Sequence, residues 1–179
     1  MTEDHDPVVA SGRREDRGDQ SLLVLERSFR APAVDVWAAI TEPDRLERWI
    51  GTWTGDPASG SVLVRMTAEG EDAQAEVFTI DECDPPRRLV VTSTPPGSDA
   101  AWHVEVDLVE SAGATTLTFR QSMPDADLAT SVGPGWEYYL DRLVAVETGR
   151  DVAAVDFDLY LRRMSGHYTE LFADLRQAR

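Results

Sequence analysis

The chain has 179 residues, 42% of them hydrophobic, and a formal net charge of −16, which suits one domain with tails. Such acidity argues against a nucleic-acid binder, which needs basic side chains against phosphate, and reads instead as solubility. All 17 basic residues are Arg and Cys83 is the only cysteine. A phosphate loop ending in Lys, a Lys Schiff base, an intrachain disulfide and a multi-cysteine zinc site are therefore all excluded.

Residues 1–21 are polar and aperiodic and read as a disordered acidic tail. They hold no apolar signal-peptide core, and no run of about 18 apolar residues follows, so a cytoplasmic protein without a membrane span is expected. Leu22 to Phe29 is a first strand. Ala31-Pro32-Ala33 ends it, and Val34, Val36, Trp37 and Ile40 predict a short helix, followed after Pro43 by another from Asp44 to Trp49. Gly51 to Gly60 reads as a loop holding Trp53.

Five strands come next: Val62 to Met66, Glu76 to Cys83, Arg88 to Thr94, Trp102 to Glu110 and Thr115 to Gln121. Trp102, Val104, Val106 and Leu108 alternate with His103, Glu105 and Asp107, and Leu117, Phe119 and Gln121 alternate with Thr116, Thr118 and Arg120. This is an antiparallel meander with one buried and one wet face. Gly133-Pro134-Gly135 then breaks the chain. Trp136, Leu140, Leu143 and Glu147 follow at helical spacing, and Gly149 stops that helix. Phe157, Leu161, Met164, Tyr168, Leu171 and Leu175 recur at spacings of 4, 3, 4, 3 and 4, the seam of a further amphipathic helix. Tyr160 and Phe172 widen that seam and favour docking on the chain's own domain. A homodimer or a protein partner through residues 151–179 is the alternative.

Three stretches in this order resemble the helix-grip fold of the START/Bet v 1-like (SRPBCC) superfamily, and within it the bacterial AHSA-like homologues of the activator of heat-shock-protein ATPase. They are Arg30 to Pro43 with Leu46-Glu47-Arg48-Trp49, Asp81 to Leu89, and Gly135-Trp136 through Asp141-Arg142-Leu143. The resemblance implies an α+β fold: a curved antiparallel sheet of about six strands around a long C-terminal helix, spanning 22–149. Relatives usually end soon after that helix, whereas here 150–179 add a C-terminal amphipathic helix. The eukaryotic activators owe much of their chaperone action to a separate N-terminal domain, which residues 1–21 are far too short to supply. The resemblance therefore implies the fold and an apolar small-molecule ligand rather than chaperone activation.

A sheet curled around one helix has more interior than Leu and Val fill easily, so large inward rings mark the expected ligand site. These are Trp49, Trp53, Met66, Phe78, Trp102, Phe119, Trp136 and Tyr139, with Gln121 as the inward polar group. Arg65, Glu76 and Tyr138 are further polar candidates. His103, Glu105 and Asp107 fall on the wet face by period 2. Cys83 sits between two acids, Glu82 and Asp84, which disfavours a nucleophilic role, and the three histidines have no metal-ligand spacing. No catalytic set, metal or cofactor is expected. The leading expectation is a binding module with a hydrophobic cavity for a lipid-like or aromatic ligand. A polyketide cyclase- or aromatase-like enzyme using Tyr138 or Glu76, and a regulatory or stress-related interaction protein acting through 151–179, are the alternatives.

Overall fold

A computed structural model describes residues 8–95, 97 and 101–176. Eight strands form one antiparallel sheet in the order β1-β2-β8-β7-β6-β5-β4-β3. They are β1 Arg13–Arg17, β2 Gln20–Phe29, β3 Thr52–Thr54, β4 Ser61–Arg65, β5 Ala75–Asp84, β6 Arg88–Ser93, β7 Trp102–Ser111 and β8 Ala114–Ser122. Between β2 and β3 lie the short helices α1 (Ala33–Thr41) and α2 (Pro43–Leu46). After β8 come α3 (Ala126–Glu147) and α4 (Phe157–Leu171). This is the expected helix grip, with two more strands than the sequence suggested.

Both extra strands lie where hydrophobic alternation is silent. β3 is a three-residue edge strand inside the expected loop. β1 lies inside the stretch expected to be disordered, so that expectation is corrected for Arg13–Arg17; residues 1–7 lie outside the described residues. The side chains of β1 are all Arg, Glu or Asp, and they are held by ion pairs instead of burial: Arg17 on Glu15 at 2.9 Å and on Glu105 at 2.9 Å. Gly18, at φ +62°, makes the turn into β2.

The register confirms the two faces. Val104 pairs with Gln121, Val106 with Phe119 and Leu108 with Leu117. Leu23 and Leu25 lie against Gln121 and Phe119 from the other side. This inner face joins α3 in the core through buried Leu25, Phe119, Ala129, Leu140 and Leu143. The outer face carries a network in which Arg88 holds Glu82, Glu105 and Asp107, and Arg120 holds Asp107. His103, Glu105 and Asp107 belong to this face as expected, but Glu105 is buried beneath its arginines instead of solvated.

Helix α3 starts ten residues before Trp136, so Gly133-Pro134-Gly135 is not a break. Pro134 removes one N–H from the ladder, but burial of Ala129, Val132, Leu140 and Leu143 carries the helix through it. The Asp125 carboxylate caps the first turn by accepting from the Asp127 amide at 2.8 Å. Gly149, at φ +71°, follows the last turn.

The C-terminal helix docks on its own chain. Tyr160, Met164, Tyr168 and Phe172 are buried and part of the main core. At the crossing with α3 the Tyr168 ring lies flat against Gly133, where any Cβ would fall inside the ring's van der Waals envelope. The Glu137 carboxylate, 1% exposed, is the hub of this junction. It accepts from the Tyr168 hydroxyl, from the Ser11 and Gly12 amides at 2.5 and 3.1 Å, and from Arg27 Nη2 at 2.6 Å. Burial alone would raise its pKa, but the donors from Tyr168, Ser11 and Arg27 outweigh burial and hold it below the ordinary range. Arg27 also donates to Asp141 at 2.8 Å, and Asp141 accepts from the Tyr160 hydroxyl at 2.6 Å. The cluster ties β2, α3, α4 and the segment before β1 together, and every member has partners.

Candidate functional site

Beside α3, on the flank away from Glu137, a cleft of about 460 Å³ opens between the helix and the sheet. Met66, Ala68 and Glu69 come from the turn after β4, Trp102 from the start of β7, and Phe157 from the first turn of α4. Ser131, Val132, Gly135, Trp136, Tyr138 and Tyr139 come from successive turns of α3. The size suits a drug-like organic molecule.

Trp136 is the most constrained wall. Its ring packs on Phe119 with centroids 4.2 Å apart, and Tyr139 meets it edge-on at 5.9 Å. Its Nε1–H donates to Gln121 Oε1 at 2.5 Å. Gln121 is inward and 3% exposed, as the alternation implies. Its partner is the indole, so it positions a wall of the cleft. Tyr138 stands edge-on to Phe157 at 5.3 Å and to Tyr160 at 5.9 Å. Arg142 lies 5.3 Å over the Tyr138 ring, with Nη1 donating to its hydroxyl at 3.2 Å.

Of the expected site residues, the cleft brings together Met66, Trp102, Trp136 and Tyr139, with Phe119 and Gln121 directly behind Trp136. Trp49, Trp53 and Phe78 do not line it. The Trp49 indole is buried and donates to the Ala39 carbonyl at 3.0 Å, and its own carbonyl accepts from Arg142 at 2.7 Å. The Trp53 indole donates to the Thr41 carbonyl at 2.8 Å. Both rings fasten α1 and the chain after α2. Phe78 is half-buried on β5 opposite Ser93.

Ser131, Val132 and Gly135 are not legible from the sequence, because Gly133-Pro134-Gly135 reads as a break ahead of Trp136 while α3 runs through it. Counting back one turn from Trp136 and Tyr139 reaches Val132 and Gly135. Ala68 and Glu69 lie in a 3-10 turn with no periodic signal.

The polar groups at the cleft are few. The Tyr139 hydroxyl donates to Glu69 Oε1 at 3.1 Å. Burial, then the Glu69 charge, pushes that phenol's pKa up, so it remains a protonated donor. The Glu76 carboxyl, on β5 and outside the lining, is also pushed up, by burial and then by Glu69. Among the described residues no group of three or more His, Cys, Asp or Glu could hold a metal ion. No helix among them is long and apolar enough to cross a membrane.

Comparison with known proteins agrees with this architecture. CalU16 from Micromonospora echinospora superposes with a TM-score of 0.67 at 26% identity, over 92% of this chain and 95% of that one. DynU16, a protein of the dynemicin biosynthetic locus, superposes with a TM-score of 0.63 at 28% identity, over 72% of this chain and 48% of its own length. The protein encoded by gene BPP1335 of Bordetella parapertussis shares the fold at 21% identity, with a TM-score of 0.69 over 89% of this chain and 92% of that one. No curated protein sequence matches. The family model "Activator of Hsp90 ATPase homolog 1-like protein" matches residues 30–147, ending at the last residue of α3. β1, β2 and α4 lie outside the matched part, and the chain belongs to that family.

Proposed function

We propose that this protein binds a predominantly apolar, aromatic small molecule in the cleft between α3 and the sheet. The observation that carries the reading is the cleft wall itself: Trp102, Trp136, Tyr138, Tyr139 and Phe157 converge on one space, with Trp136 fixed by Gln121. Rings held this way present preorganised area at little entropic cost. The place of DynU16 in a biosynthetic locus supports a role beside small-molecule chemistry. The exposed thiol of Cys83 suits a reducing compartment such as the cytoplasm.

The apolar seam of α4 is occupied within the chain, which counts against a partner-binding role for residues 151–179. A cyclase-like reaction is the second reading. Tyr138 faces the cleft with Arg142 on its hydroxyl, a pair able to stabilise a developing oxyanion. Glu76 is not among the lining residues.

The test is fluorescence titration with N-phenyl-1-naphthylamine, alongside native mass spectrometry of the purified protein to identify any co-purified molecule. Gly135 faces open space, with nothing within 4 Å of an added Cβ, so Gly135→Leu fills the cleft of an otherwise intact fold. Wild type is expected to bind the probe and Gly135→Leu to lose it. Equal binding by both, or none by wild type, would overturn the reading.

A further inference from the structure

The cleft combines converging aromatic faces with one carboxylate, Glu69, that no arginine among the described residues pairs. The acids of the two networks that hold the fold together, Glu105 and Asp107 on the outer face and Glu137 and Asp141 under α4, each hold a guanidinium. Glu69, in the cleft wall, holds none among the described residues. One of its oxygens accepts from Tyr139 and the other has no hydrogen-bond partner there. Glu76 is likewise without an ion pair among the described residues, and its pKa is raised by burial and by Glu69, as two acids sharing one negative region require. The arginine against the cleft wall, Arg142, already has Nε on the Trp49 carbonyl and Nη1 on the Tyr138 hydroxyl.

Aromatic faces carry negative quadrupoles and attract cations, most strongly at Trp and Tyr. Here they stand beside an unpaired carboxylate, on a chain whose net charge of −16 repels anions. We infer that the cleft selects a planar aromatic ligand carrying positive charge, an amine or a ring nitrogen that stays protonated, with Glu69 as its counter-ion. This rests on the cleft being the binding site and adds the charge class of the ligand. A neutral ring gains the stacking area alone. An anion meets Glu69 in the wall, while the nearest guanidinium, Arg142, stands behind Tyr138 and outside the lining.

Three acridines of one shape separate the terms: 9-aminoacridine as the cation, acridine as the neutral form and acridine-9-carboxylate as the anion. Titrated by fluorescence at neutral pH and low salt, 9-aminoacridine is expected to bind about tenfold tighter than acridine, with the carboxylate weakest. Glu69→Gln keeps an acceptor for Tyr139. It should cost 9-aminoacridine about threefold in affinity, an effect that fades with added salt, and leave acridine unchanged. Asp19→Asn removes the same charge at the β1–β2 turn, at the sheet edge opposite β3 and β4, and should change neither. Equal affinity for cation and neutral ring overturns the inference and leaves the cleft reading standing. The same holds if Asp19→Asn has the effect of Glu69→Gln. If none of the three binds, or Gly135→Leu binds them as wild type does, the cleft reading itself falls.

Discussion

Helix α3 presents two flanks that obey opposite rules. Gly133, Glu137 and Asp141 lie on one side, and Ser131, Gly135 and Tyr139 on the nearly opposite side, as 3.6 residues per turn requires. On the first flank the polar groups are matched and the space is filled: the ring of Tyr168 occupies the room left by Gly133, and Glu137 accepts hydrogen bonds from four residues. On the second, a glycine faces open space, Tyr139 meets Trp136 and Phe157 meets Tyr138 edge-on, and one oxygen of the exposed Glu69 has no hydrogen-bond partner among the described residues. A saturated flank holds the fold together; an unsaturated one leaves interactions for something else to complete. α4 contributes to both flanks. α4, outside the family match, supplies most of the first flank's cover and, through Phe157, one wall of the second. The extension therefore closes the cleft as well as stabilising the helix.

The largest expected effect breaks the saturated flank. Glu137→Ala leaves Arg27 with one acidic partner in place of two, strands the Tyr168 hydroxyl, and should destabilise the protein by about 3–5 kcal/mol in urea unfolding. Because the folded pKa of Glu137 is depressed, its contribution is fully present above the ordinary Glu value of about 4.3 and is lost as pH falls through the folded value. The stability gap between wild type and Glu137→Gln should accordingly be constant near neutrality and shrink in acid. Glu15, Asp16, Glu105 and Asp174 are also depressed by their arginines and hydrogen bonds. Taking the difference between the two proteins removes their shared effect. A gap that stays constant into acid would show that Glu137 is not charged in the fold.

Next in size is Phe157→Ala. Phe157 is 39% exposed and touches Tyr138 edge-on, so its loss should cost only about 1 kcal/mol of stability. It should weaken binding of N-phenyl-1-naphthylamine by about fivefold, because one wall of the cleft goes with it. Loss of stability with unchanged binding would assign Phe157 to the saturated flank.

The two flanks also differ in how far they could be read from residues alone. Period 2 placed Trp102, Phe119 and Gln121 on one face, and the rings pointed to the cleft, because large inward side chains have to border something. The seam at Met164 and Tyr168 was visible for the same reason: apolar spacing survives in sequence. Glu137 was invisible, since a glutamate on a helix ordinarily marks solvent and only the folded chain brings Ser11, Arg27 and Tyr168 to it. β1 was hidden for a different reason: it pairs with the next strand, but its side chains are all charged and show no hydrophobic alternation. Trp49 and Trp53 misled because an indole ring serves equally well as a strut, and the carbonyl that each N–H finds depends on the tertiary fold.

The sharpest test of the comparison uses one substitution at two glycines two residues apart, and it includes the smallest expected effect, at Gly135. Glycine inside a helix costs about 1 kcal/mol relative to alanine through backbone entropy. Gly135 has helical neighbours and free space, so Gly135→Ala should recover most of that and raise stability by about 0.5–1 kcal/mol. Gly133 has the same backbone entropy to recover, but an added methyl must displace the Tyr168 ring, whose hydroxyl is fixed on Glu137 and the Gly12 amide. Displacement means losing those bonds or moving α4, so Gly133→Ala should destabilise by about 1–3 kcal/mol. Thermal or urea unfolding of the pair reads the sign directly. Opposite signs would establish that the flanks differ in packing and not merely in composition. A stabilising Gly133→Ala would mean that α4 sits loosely enough to yield, and the clasp around Tyr168 would no longer explain why the chain keeps a glycine there.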